Sequence, residues 1–182
     1  MRIIIVGCGR VGAGLATQLS QDGHEVIVLD VSTEAFRRLP TGFPGQALRG
    51  DGTDESVLRR AGADGADWFL ALTNGDNRNI LAAQLAAGSF GIADIVCKVN
   101  DPVRAQAYAH LGVNTVNRTM MMIDSIGRFM GRPPMPHAAE VTRAADRPSS
   151  HPVPPPARGE LPDPGGPTAG AAASADGGTG GR

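Results

Sequence analysis

The chain opens MRIIIVGCGRVGAGLATQL, and this stretch limits the available folds more than any other. The apolar run Ile3 to Val6 reads as a strand buried on both faces. A helical pattern, VGAGLATQLSQ, follows at once. Between them Gly7-Cys8-Gly9-Arg10-Val11-Gly12 fits G-x-G-x-x-G. In that arrangement the first glycine permits a tight turn and the second lets a pyrophosphate approach the backbone. The third lets the helix pack closely on the strand. The helix N-terminus then offers unpaired N–H groups and a positive dipole end to phosphates. Glycines also serve ordinary turns and bulges, so the motif has weight only because strand and helix patterns flank it.

The alternation continues along the chain. HEVIVLD precedes TEAFRRL, GQALRG precedes DESVLRRAG, and ADWFLALT precedes DNRNILAAQLAAG. ADIVCKV precedes DPVRAQAYAHLG, and VNTV is the sixth strand. Such a series implies right-handed crossovers and a Rossmann-like, doubly wound, parallel six-stranded sheet, with a C-terminal helix after it. Asp101 is a natural N-cap with Pro102 at the first helical position. Thr73 and Asp76 have capping-box spacing, with Asp in place of Glu. At the tip of the second strand, Asp30 lies eighteen positions after Gly12. A carboxylate there would accept both ribose hydroxyls of an adenosine and repel a 2′-phosphate, favouring NAD or an adenine nucleotide over NADP. The plainer role of Asp30 is to cap the next helix. Arg37 and Arg38 keep a 2′-phosphate site open as the less favoured reading.

Composition sets limits on the rest. The whole chain of 182 residues has a net charge of −1, so no basic field argues for nucleic acid or an anionic membrane. Five Phe, one Trp and one Tyr leave few stacking platforms for single strands. Two cysteines, Cys8 and Cys97, are too few for a disulfide framework, and a reduced cytoplasm is the expected setting. No apolar run approaches a bilayer span, and the N-terminal run is too short for a signal peptide. Eleven of the fourteen prolines lie from Pro133 onward, and the same region holds a single leucine, Leu161, and no aromatic residue. Residues 131–182 are therefore expected to be a disordered Pro/Gly/Ala-rich tail, because they cannot bury enough apolar surface to offset ordering entropy.

The strand ends carry further signatures: Gly50-Asp51-Gly52-Thr53, Thr73-Asn74-Gly75-Asp76-Asn77 and Val96-Cys97-Lys98-Val99-Asn100. With the glycine turn and Asp30, these resemble the KTN/RCK domain, also called the TrkA N-terminal domain, over residues 1 to about 130. The resemblance implies a cytoplasmic regulatory subunit of a Trk/Ktr-type potassium uptake system that binds NAD(H) or ATP/ADP. It implies that Gly7, Cys8, Gly9, Val11 and Gly12 line a diphosphate, with Arg10 reaching a terminal phosphate. Asp30 and Val31 would hold the adenosine ribose. Asp51, Gly52 and Thr53 would bound the adenine pocket, with Gly52 a harmless choice at a variable turn position. Thr73, Asn74, Asp76 and Asn77 would flank the phosphates or a second ribose, and Lys98 would stand near the ligand. Each has a plainer reading. Arg10 can be a solvated first-turn arginine, Asp76 and Asn77 can simply start a helix, and Lys98 can snorkel from a strand end. Cys8 and Cys97 read as small apolar filler.

On the same resemblance, residues 1–117 form the nucleotide-binding domain. Residues 118–130 form a helix crossing to a second subunit in a homodimer or higher homo-oligomer, which would meet a potassium-transport membrane subunit. The sequence TMMMIDSIGRFMG supports partner contact, since its apolar residues spread around much of the helix; the alternative is a final helix lying on its own sheet. Many relatives carry a second domain after this unit, and the tail stands in that place. The competing class is an NAD-dependent oxidoreductase of Rossmann type, which needs a placed proton donor or acceptor. Tyr108 has no lysine four residues later, and His137 and His151 lie in the expected tail. His24 and His110 have no ligand cluster around them in sequence. The expectation is a regulator, not an enzyme, with no catalytic or metal site.

Overall fold

The computed structural model describes residues 1–110 and 113–133; of Ala109 and His110 only the backbone is described. Most of the tail thus lies outside the described residues. Six strands are present: β1 Arg2–Val6, β2 Glu25–Asp30, β3 Gln46–Arg49, β4 Trp68–Ala71, β5 Asp94–Lys98 and β6 Asn114–Val116. The α-helices are α1 Arg10–Gln21, α2 Glu55–Arg60, α3 Asp76–Phe90, α4 Pro102–His110 and α5 Arg118–Phe129. All strands pair in parallel in the order β3-β2-β1-β4-β5-β6. The expected doubly wound parallel sheet is the observed one.

β1 shows how the sequence produces two cores. Its residues alternate between faces, yet the run is apolar throughout because both faces are covered. Ile3 and Ile5 pack with Ala13, Ala16 and Leu19 of α1. Ile4 and Val6 pack with Val57 and Leu58 of α2 and Ile80 and Ala83 of α3. β1 pairs with β2 on one side and β4 on the other, so the chain reverses its direction of winding there. In an open α/β sheet ligands bind outside the carboxyl ends of the strands at such a switch point.

Two local expectations differ. TEAFRRL forms a 3-10 helix, Thr33–Arg38, and not an α-helix. Pro40 forces Leu39 into an extended conformation (φ −77°, ψ 145°), so there is no room to build further turns. The Thr73/Asp76 capping box does not form: the N-cap of α3 is Gly75, with no side-chain cap bond. The Thr73 hydroxyl instead donates to Asn79 Oδ1 at 2.6 Å. The Asp101 cap does form, accepting from the amides of Val103 (2.9 Å) and Arg104 (3.0 Å).

Candidate functional site

The carboxyl ends of β1, β2, β3 and β4 surround a cleft of about 370 Å³. Gly7 begins it with φ 108°, a conformation that favours glycine, and a Cβ there would lie 2.9 Å from the Thr73 amide nitrogen. Gly12 belongs to packing, since a Cβ on it would strike the Gly7 carbonyl oxygen, and it does not line the cleft. Gly9 has open space where its side chain would be and does line it. Gly52 is not the neutral turn position expected from sequence. The Val6 side chain fills the place of its absent Cβ.

Helix starts around the sheet fall into two groups. α2, α4 and α5 are capped by the side chains of Asp54, Asp101 and Asn117. α1 and α3, which follow the two strands at the switch point, start at Gly9 and Gly75 without a side-chain cap. Their first-turn amides are the orphan donors that an anion would satisfy.

Asp30 is held from two sides. Its Oδ2 accepts from the Cys8 amide at 2.8 Å and its Oδ1 from the Ser32 amide at 2.9 Å. The carboxylate thus ties the glycine turn to the β2 tip, and it makes no side-chain cap on the 3-10 helix, whose N-cap is Ser32. Each oxygen keeps a second lone pair for another donor. Asp51 closes the β3 side, accepting from the Thr53 amide (3.0 Å) and hydroxyl (2.8 Å) through one oxygen. Those two bonds hold its carboxyl below the usual carboxylate range.

Nine of the residues expected from sequence line the cleft: Gly7, Cys8, Gly9, Asp30, Val31, Asp51, Gly52, Thr73 and Asn74. Arg10 and Val11 are exposed on α1, and Thr53 is half-buried against Asp51; none of the three lines the cleft. Asp76, Asn77 and Lys98 also lie outside the lining. Asp76 turns toward the β5–α4 loop and accepts from the Asn100 amide (2.9 Å), Asn100 Nδ2 (2.9 Å) and the Asp101 amide (3.0 Å). Burial works against its charge, but these bonds prevail and its pKa is lowered. Asn77 accepts from Arg104 at 2.7 Å. Lys98 is half-buried, and desolvation, with Arg118 nearby, lowers its pKa. Burial pushes the Cys97 thiol up to about 12 and raises that of Cys8, so neither is an activated thiolate.

Sequence reasoning missed Ser32, Glu34 and Arg78 in the lining and took Arg38 only as a 2′-phosphate candidate. It also missed Asn79, fully buried, which accepts from the Thr73 amide and hydroxyl and donates to the Thr73 and Lys98 carbonyls. Asn79 fixes the β4–α3 turn against β5. A polar residue three positions into a helix, on its apolar face, was the available signal.

Helix α5 buries only Asp124, while Met122, Ile123, Ile126 and Phe129 are about half or more exposed, Phe129 at 95%. Among the described residues no helix is long and apolar enough to cross a membrane.

A 3-2-1-4-5-6 parallel sheet, with a glycine turn and a β2 carboxylate at its switch point, defines a Rossmann-type domain. The family model of the TrkA-N domain matches residues 3–119, and the chain belongs to that family. It is 41% identical over 140 residues to the Trk system potassium uptake protein TrkA of Streptomyces coelicolor, covering 77% of this chain and 61% of the relative. It is 35% identical over 108 residues to a TrkA homolog of Pyrococcus abyssi, covering 59% and 48%. The chain thus spans 61% and 48% of these relatives' length.

Among solved structures, the TrkA-N domain of inner membrane protein ybaL from Escherichia coli matches with TM-score 0.62 and 18% identity, covering 71% of this chain and 96% of that one. The Shewanella denitrificans Kef CTD in AMP-bound form matches with TM-score 0.61 and 24% identity, covering 71% and 79%. The GsuK channel bound to NAD matches with TM-score 0.58 and 21% identity, covering 71% and 23%. At these identities the likeness is one of fold.

Proposed function

We propose that this chain is a nucleotide-binding regulatory subunit, taking NAD(H) or ATP/ADP, that gates a potassium transporter or channel from the cytoplasm. The observation that carries the reading is the cleft itself. Two uncapped helix starts flank the switch point, and a carboxylate already anchored to the glycine turn stands at the β2 tip. Free amides suit phosphates, and Asp30 suits the vicinal hydroxyls of a ribose. The relatives' names support a potassium uptake role, and they favour a regulator over an NAD-dependent oxidoreductase. Bound NAD and bound AMP in proteins of the same fold support an adenosine ligand.

The exposed apolar side of α5 supports a homodimer or higher homo-oligomer. Ligand binding would act on the pore through differential affinity for two assembly states, with a coupling of about 1–3 kcal/mol. Calorimetric titration of the full chain with ATP, ADP, AMP, NAD, NADH and NADPH tests the ligand. Micromolar binding that falls at least tenfold in Asp30→Ala is expected; undiminished binding in the variant would place the ligand elsewhere. Co-purification with a potassium-transport membrane subunit tests the regulatory half.

A further inference from the structure

Within the proposed nucleotide cleft, we infer that Arg78 reads the second phosphate of an adenosine 5′-diphosphate group, and that the site therefore selects diphosphates over AMP. The inference rests on the nucleotide reading above and adds to it the residue that sets phosphate number.

The cleft lining holds two cations, Arg38 and Arg78, and they stand on opposite sides of the glycine turn. Arg38 belongs to the β2 side, in the 3-10 helix that follows Asp30, where its guanidinium reaches the Ala35 carbonyl at 3.4 Å. That is the ribose end of the cleft. Arg78 belongs to the β4 side, one turn beyond Thr73 and Asn74, which also line the cleft. An adenosine placed on Asp30 extends its 5′-phosphates across the glycine turn toward this side. The first phosphate meets the α1 start, and the next group outward comes within reach of the β4–α3 turn.

Arg78 is also placed where a structural role does not explain it. It lies in the first turn of α3, where a cation opposes the helix dipole. Its side chain is exposed and makes no hydrogen bond or ion pair among the described residues. Arg37 pairs with Glu34 at 2.7 Å and Arg59 with Glu55 at 2.7 Å, whereas Arg78 has no such pair among the described residues. Asp51, across the cleft, feels the Arg78 charge but forms no ion pair with it; its Oδ1 accepts from Thr53. A guanidinium left unpaired on an anion-ready cleft has the donor geometry for two phosphate oxygens. Arg10, which the family resemblance implies would reach a terminal phosphate, does not line the cleft. Within one chain the phosphate cation is therefore Arg78.

The shared chemistry is an adenosine 5′-diphosphate, either free ADP or the pyrophosphate half of NAD. The test is calorimetric titration of the full chain and its Arg78→Gln, Arg78→Lys and Arg10→Gln variants with AMP, ADP and NAD. Arg78→Gln should weaken ADP about tenfold and AMP less than twofold, the loss of one charge-assisted contact. Arg78→Lys should recover part of the loss, because it restores charge without the fork. Arg10→Gln should leave the ADP/AMP ratio unchanged. If ADP and NAD fall together, the site reads the pyrophosphate; if ADP alone falls, it reads a free terminal phosphate. Equal effects on AMP and ADP, or no effect on either, would overturn the role of Arg78 while leaving the cleft as the nucleotide site. Wild-type protein that binds none of the three would overturn the nucleotide reading itself, and Arg78 with it. Far-ultraviolet circular dichroism and thermal midpoints should match wild type, as expected of an exposed, unpaired side chain.

Discussion

Single atoms decide the shape of the glycine turn. The third motif glycine, Gly12, faces the Gly7 carbonyl so closely that even a methyl group has no room, and the neighbour it would strike is backbone. Gly12→Ala should therefore destabilise the fold by about 1–3 kcal/mol, the usual cost of overpacking, and displace the turn. Gly9→Ala, with open space at its Cβ, should leave stability within about 0.5 kcal/mol and act on ligand binding alone. Urea unfolding of both variants separates the two roles; equal stability losses would contradict the assignment. The spacing of the three glycines announces the turn in sequence. It does not announce that Gly52 gives its place to Val6, because that contact joins the turn after β3 to β1.

At the scale of elements, what could be read in the sequence was what a strand or helix encodes locally. The two apolar faces of β1, the Asp101–Pro102 start of α4 and the tip position of Asp30 are local patterns, and the structure keeps all three. The cleft lining is not local. Arg78 and Asp76 are two residues apart on α3, yet one lines the cleft and the other turns to the β5–α4 loop. No periodicity decides which, since the direction is set by where Asn100 and Asp101 arrive from another strand.

Asp76 joins two elements through three bonds, and Asn117 continues the seam by donating to the Asn100 carbonyl at 2.9 Å while capping α5. Removing the carboxylate in Asp76→Ala leaves three donors, two backbone amides and Asn100 Nδ2, without this acceptor and should cost about 1–3 kcal/mol. The folded pKa of Asp76 is lowered, so its contribution is complete above the unfolded carboxylate value of about 3.9. It is lost as pH falls through the lower folded value. Acid unfolding curves of wild type and Asp76→Asn should therefore converge at low pH and separate toward neutrality. A constant separation across that range would argue against this origin.

For the whole molecule, the exposed large apolar side chains among the described residues cluster on α5. Single ones stand elsewhere, such as Val11, Leu81 and Val103, whereas α5 leaves Met122, Ile126 and Phe129 together to solvent. Exposed apolar side chains grouped on one helix mark a contact surface. Phe129→Asp should shift the full chain toward monomer in sedimentation velocity without lowering the unfolding midpoint of the sheet. An unchanged sedimentation coefficient for an oligomeric wild type would remove α5 from the interface.

The anchoring of Asp30 has a consequence for kinetics as well as for shape. With both oxygens fixed by the Cys8 and Ser32 amides, the carboxylate already points along one direction before anything binds. A ribose binding there as proposed would find no side-chain rotamer to select and no loop to order at that point, so the entropy lost there would be the ligand's own. Encounter and capture become nearly one event. Differences in affinity among adenosine compounds should then appear in how slowly they leave, and hardly at all in how fast they arrive.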